Sequence, residues 1–168
     1  MELSDESKRF QPPKPRNKHP AEWRVVALRE CPMSESMQIC DTPEHAANYW
    51  RLTITTNIYF NPEVECFVVL FVNTRRKVKG HQLVSIGTLD SILVHPREVF
   101  RAPIIAAAAA IVLMHNHPSG DPTPSEADIK ITRDLIRAGQ LLKIEVIDHV
   151  IMGNPNFCSL RELGYFYS

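Results

Sequence analysis

The chain has 168 residues, 44% hydrophobic and 23% charged, the composition of one globular domain that buries about two-thirds of its extended surface. Its 19 basic and 19 acidic side chains cancel, which excludes a strong global field as the means of holding nucleic acid or an anionic membrane. Four scattered cysteines without a CxxC pair exclude a disulfide framework. No apolar run approaches the roughly 18 residues of a membrane-spanning helix and no secretory leader opens the chain, so the cytoplasm is the expected compartment.

In chain order, residues 1–21 carry Pro12, Pro13, Pro15 and Pro20 among charges with few apolar side chains, and this predicts a disordered tail. Residues 22–60 read as an extension of one strand and one helix. Residues 23–28 (WRVVAL) suit an edge strand, and Thr42-Pro43-Glu44 reads as a helix start with Thr42 as its cap. Ala46, Ala47, Tyr49, Trp50 and Leu52 follow as an apolar stripe, while the β-branched Thr53-Ile54-Thr55-Thr56 leaves the helix end open.

The main domain is expected over residues 61–168. Residues 65–73 (ECFVVLFVN) form a near-continuous apolar run, as in a strand covered on both faces. A polar turn with Arg75, Arg76, Lys77 and Lys79 leads into a returning antiparallel strand over residues 78–87. His95-Pro96-Arg97-Glu98 opens a helix expected to run into the alanine-rich stretch, giving way to a strand near Ala109. A helix over 125–142, a strand over 143–152, a break at Gly153-Asn154-Pro155-Asn156 and a short terminal helix at Leu160-Arg161-Glu162-Leu163 complete the chain. Alternating strands and helices with one hairpin imply an α/β fold, a mixed β-sheet flanked by helices.

The chemistry concentrates in His115-Asn116-His117, directly after the apolar residues 111–114 and before a proline-rich loop. Positions i and i+2 of a strand share a face, so both imidazoles can reach one ion while Asn116 points away. Ser125-Glu126-Ala127-Asp128 has the spacing of a capping box, which alone accounts for both Ser125 and Asp128. Yet Asp128, Ile131, Thr132 and Leu135 fall at i, i+3, i+4 and i+7, so Asp128 heads the buried stripe and needs a partner. A cation held by His115 and His117 supplies one. Two imidazoles and a carboxylate suit catalytic zinc, and the same set forms the facial triad of non-haem iron oxygenases, a minor alternative. Glu65, at the head of an apolar strand, is the candidate base, with Glu63 two residues away as the alternative.

Glu65, the His115-x-His117 pair, Ser125 and Asp128 resemble the JAMM motif of JAB/MPN metalloproteases. Gly87-Thr88-Leu89, His95-Pro96-Arg97-Glu98-Val99, the HNHPSG block at 115–120, Pro124-Ser125 and Asp148-His149 resemble the bacterial RadC-like proteins from about residue 61 to 167. The resemblance implies a cytidine-deaminase-like JAB/MPN fold. It also implies a Zn2+ ion held by His115, His117, Asp128 and a water, with Glu65 taking the water's proton and Ser125 stabilising the oxyanion. The activity implied is cleavage of a peptide or isopeptide amide bond. His149 has two readings, strand packing or orientation of a ligand through a hydrogen bond. His95 reads as a cap residue, and Cys66 should face away from Glu65.

Two other classes stand beside this one. Arg75, Arg76, Lys77 and Lys79 could serve a DNA-associated accessory factor, although residues 1–41 show no counterpart of the helix-hairpin-helix region of longer RadC-like proteins. A metal-containing interaction module without turnover would keep the same ligands. Neither the substrate nor the oligomeric state is written in the sequence.

Overall fold

The computed structural model describes residues 38–87 and 94–166. The proline-rich tail, the segment 23–28 and Thr88-Leu89 lie outside the described residues. Helix α1 (Pro43–Tyr49) begins as its sequence predicts: the Thr42 side chain accepts a hydrogen bond from the His45 amide, and Pro43 occupies the first turn. A π-helical turn (Trp50–Ile54) continues it. Ala46, Ala47, Tyr49, Trp50 and Ile54 are buried, whereas Leu52, expected in the stripe, is 59% exposed. The wider π winding rotates Leu52 off the buried side.

Strand β1 (Cys66–Val72) is buried along its whole length and lies at the heart of the sheet. It pairs antiparallel with β2 (Val78–Ile86) on one side and with β3 (Ala110–Asn116) on the other. Strand β3 pairs parallel with β4 (Glu145–Met152), which pairs antiparallel with β5 (Phe157–Ser159), for an order β2-β1-β3-β4-β5. The mixed sheet flanked by helices is therefore as expected. The three-residue β5 was not expected, being shorter than any strand that periodicity can reveal.

Two helices occupy the face opposite α1. Helix α2 (Pro96–Ile105) starts at His95, whose ring accepts from the Arg97 amide. It stops at Ile105 instead of running through the alanines, because Ala107 adopts φ 47° and turns the chain into β3. Tertiary pairing outweighs alanine's helix propensity here, as the Ala109 amide bonds to the Val72 carbonyl. Helix α3 (Glu126–Leu142) is the crossover that parallel β3 and β4 require. The terminal helix expected at 160–163 is instead a series of turns, held by Leu163 N–H to Ser159 and Tyr165 N–H to Leu160.

Alternation assigns the faces. Cys66, Val68, Leu70, Val112, Met114, Val150 and Met152 pack with α1 and its π turn. Phe67, Val69, Phe71, Ile111, Leu113 and Val146 pack with α2 and α3. Between Val146 and Asp148 the β3–β4 register slips by one, leaving Ile147 as an extra residue. That bulge reverses the parity of β4, so His149 arrives on the α3 face opposite Leu113.

Candidate metal centre

Strand β3 delivers His115, fully buried, to the α3 face at its carboxyl end. The strand ends at Asn116, so His117 stands one residue beyond it. Its amide still bonds to the Met152 carbonyl, which extends the parallel pairing by one step. The loop that follows is tightly folded. Asp121 caps it by accepting from the amide and hydroxyl of Thr123, and the Asn154 amide bonds to the Gly120 carbonyl. A Cβ on Gly153 would sit 2.4 Å from that carbonyl oxygen, so only glycine allows the two loops to touch.

Ser125 caps α3 in a capping box with Asp128, as the spacing predicts. Its Oγ accepts from the Asp128 amide (3.2 Å), while its own amide donates to Asp128 Oδ2 (2.7 Å). The hydroxyl also donates to Oδ2, at 2.6 Å. Oδ1 faces His115, while Oδ2 is shared between Ser125 and His117. His115 Nε2 lies 3.2 Å from Asp128 Oδ1, His117 Nε2 lies 3.5 Å from Oδ2, and the two Nε2 atoms are 3.0 Å apart. Donors at about 2.0–2.1 Å from a tetrahedral ion stand about 3.3 Å from one another, so these edges fit a zinc-sized cation. Among the described residues this is the one cluster of three His, Cys, Asp or Glu side chains able to share an ion.

The electrostatics of the three side chains differ. Enclosure drives His115 below the ordinary imidazole range, although contact with Asp128 opposes this. At His117, whose side chain is 14% exposed, the hydrogen bond to Asp128 outweighs burial and pushes the ring up. Burial works against ionisation of Asp128, but contacts from His115, His117 and Ser125 hold its carboxyl well below the usual range. The His117 Nδ1 donates to the Asp121 carbonyl (2.8 Å), which leaves Nε2 for the site.

Glu65 lies just before β1, not within it as expected, and is half-buried. Its charge acts on both His115 and His117. Glu63 is exposed in the same connecting segment, so the pair does not share a strand face. The residue between the histidines anchors Glu65: Asn116 Oδ1 accepts from the Cys66 amide (2.9 Å) and Nδ2 donates to the Val64 carbonyl (3.0 Å). Sequence reading treated Asn116 as merely pointing away. Cys66 does face the α1 side of the sheet.

Beneath the candidate ligands, Phe67 stacks on His115 at 6.1 Å and packs edge-on with His149. His149 Nε2 lies 2.8 Å from His115 Nδ1, so the ligand-orienting reading of His149 has the geometry it needs. Neighbouring Asp148 faces the other way, accepting from Ser159 Oγ (2.6 Å) and the Arg161 amide (3.1 Å), and burial raises its pKa. It anchors the terminal turns. The basic cluster lies at the opposite end of the sheet, about 16 Å along β3 from His115. Arg76 pairs there with Glu145 (2.9 Å), and Lys79 donates to the Ala107 carbonyl.

The RadC-like JAB domain family matches residues 40–165. A UPF0758 protein of Moorella thermoacetica is 56% identical over 98 residues, 58% of this chain and 43% of that protein. A UPF0758 protein of Bacillus cereus strain G9842 is 50% identical over 101 residues, 60% of this chain and 45% of that protein. A third, from Caldanaerobacter subterraneus subsp. tengcongensis, is 49% identical over 102 residues, 61% and 44% of the two chains. The matched region thus spans less than half the length of these relatives. Among the described residues no helix is long and apolar enough to cross a membrane.

Proposed function

The chain belongs to the RadC-like JAB domain family, and from that premise we propose that it is a zinc-dependent metallohydrolase cleaving an amide bond in a peptide or isopeptide. The observation that carries this reading is the triangle of His115, His117 and Asp128, with edges of 3.0 to 3.5 Å around a carboxylate only 2% exposed. Zinc held there supplies Lewis-acid chemistry, lowering the pKa of water to about 7 and polarising a carbonyl.

The chain's own residues do the rest. Glu65 takes a proton from the attacking water as its oxygen bonds to the carbonyl carbon, then delivers that proton to the nitrogen as the C–N bond breaks. Asn116 holds the backbone on both sides of Glu65. Ser125 donates its hydroxyl to the developing oxyanion, a contribution of roughly 3 kcal/mol for one such donor. To do so it must turn away from Asp128 Oδ2, its partner in the resting protein. That engagement favours one second reading, a metal-containing interaction module without turnover. Free Cys40, Cys66 and Cys158 support placing the protein in the reducing cytoplasm.

The test is metal content by mass spectrometry on protein purified without chelator, followed by hydrolysis of a peptide and isopeptide library. Wild type should hold about one zinc per chain and His117→Ala almost none. Glu65→Gln should keep its zinc and lose turnover by about 10²–10⁴-fold. Stoichiometric zinc in folded His117→Ala removes that ligand, and undiminished turnover in Glu65→Gln removes the base. Zinc without hydrolysis across the library selects the silent module.

A further inference from the structure

Behind His115 runs a buried hydrogen-bond chain that returns to the helix carrying Asp128. His115 Nδ1 lies 2.8 Å from His149 Nε2, His149 Nδ1 lies 2.6 Å from Thr132 Oγ1, and Thr132 Oγ1 lies 2.6 Å from the Asp128 carbonyl oxygen. His115, His149 and Thr132 are all 0% exposed. The chain therefore links one candidate ligand to the backbone of another through two side chains outside the candidate ligand set. We propose that Thr132 and His149 are positioning residues that lock His115 in its Nδ1–H tautomer, presenting the Nε2 lone pair before any metal arrives. This rests on the reading of His115 as a metal ligand.

The direction follows from the last member. A carbonyl oxygen accepts and never donates, so the 2.6 Å contact with Thr132 uses the hydroxyl's single proton. Thr132 Oγ1 can then only accept from His149, whose Nδ1 must carry hydrogen. His149 is 0% exposed and its two ring nitrogens face His115 and Thr132 rather than a carboxylate, so the ring is neutral, and with Nδ1–H its Nε2 is bare. That bare nitrogen faces His115 Nδ1, which must donate. His115 Nε2 is left as a lone pair aimed at His117 Nε2 and Asp128 Oδ1. The reverse polarity would gain an Nε2–H bond to Asp128, but it sets two oxygen lone pairs against each other at 2.6 Å.

The β4 bulge makes this possible, since strict alternation from Val146 would send His149 to the α1 face. Thr132 in turn occupies the position one turn beyond Asp128, so the helix turn that supplies the carboxylate also supplies the anchor.

Long-range proton–nitrogen NMR on metal-free, histidine-labelled protein reads the tautomers directly. His115 and His149 should both show Nδ1–H with bare Nε2. Thr132→Val, which keeps the shape and loses the hydroxyl, should blur His115 into a mixture and weaken zinc binding about 10- to 100-fold. Thr132→Ser should restore both properties. A wild-type His115 carrying Nε2–H overturns the proposal, as does a folded Thr132→Val that binds zinc as tightly as wild type. The NMR arm needs no substitution, so a variant that fails to fold leaves the test intact. Wild type with the expected tautomers but no zinc uptake supports the lock and overturns the metal reading instead.

Discussion

Asp128 does two jobs with one carboxylate. Oδ2 closes the capping box with Ser125, and Oδ1 faces His115. A helix cap and a candidate ligand set thus share one side chain, which is why the spacing Ser125-x-x-Asp128 supports both readings. Substitution separates them. Ser125→Ala should lower stability by about 1 kcal/mol from the lost cap, read as the midpoint of chemical denaturation. Ser125→Gly, which keeps most of the cap's stability without a donor side chain, should stay close to wild type in stability while leaving hydrolysis low. Full turnover in Ser125→Gly would remove the oxyanion role. At this scale the sequence was most legible, since His115, His117, Ser125 and Asp128 lie within one short stretch where local spacing governs geometry. The partners Thr132 and Asn116 were not legible, because neither residue type signals a buried hydrogen bond to a distant strand or loop.

At the scale of elements, α3 and β4 meet through a close approach. The Ile144 amide bonds to the Gly139 carbonyl as Lys143 turns through φ 57°. A Cβ on Gly139 would lie 2.5 Å from the Ile144 carbonyl oxygen and 3.3 Å from Phe100 Cζ. Alanine gains up to about 1 kcal/mol of helix propensity over glycine, but a backbone oxygen cannot move aside as a flexible side chain can. Gly139→Ala should therefore destabilise by about 1–3 kcal/mol, seen as a lower melting temperature, and a higher one would refute the close packing. Elements long enough to show their period were readable: β1, β2, α3 and β4 stand within a residue or two of expectation. The alanine run, β5 and the terminal turns were not, because pairing partners far away in sequence decide where each one stops.

For the whole molecule, two enclosed imidazoles set a pH limit. His149 and His115 are held below the ordinary imidazole range, chiefly by burial. A group depressed in the folded state stabilises above its unfolded pKa and loses that contribution as pH falls. His117, shifted upward by Asp128, acts with the opposite sign but is only partly enclosed. The metal-free protein should therefore melt at progressively lower temperature as pH drops from 7.5 to 5, and His149→Gln should flatten the dependence. A melting temperature that rises over that range would contradict neutral buried rings. Zinc at 100 times its Kd should add about 2.7 kcal/mol, and a chelator should remove it.

The sequence by itself determined the fold class, the central strand, the capped helix and the three-donor set, because these rest on periodicity and on contacts a few residues apart. Only the tertiary structure decided which carboxylate before β1 is half-buried beside the site, and which side chains stand behind the ligands. Asn116 ties down the backbone on both sides of Glu65 across a separation of about fifty residues. His149 reaches His115 because a single extra residue, Ile147, reverses strand parity. A bulge of that kind is set by how two strands pair, and alternation within either strand alone carries no trace of it.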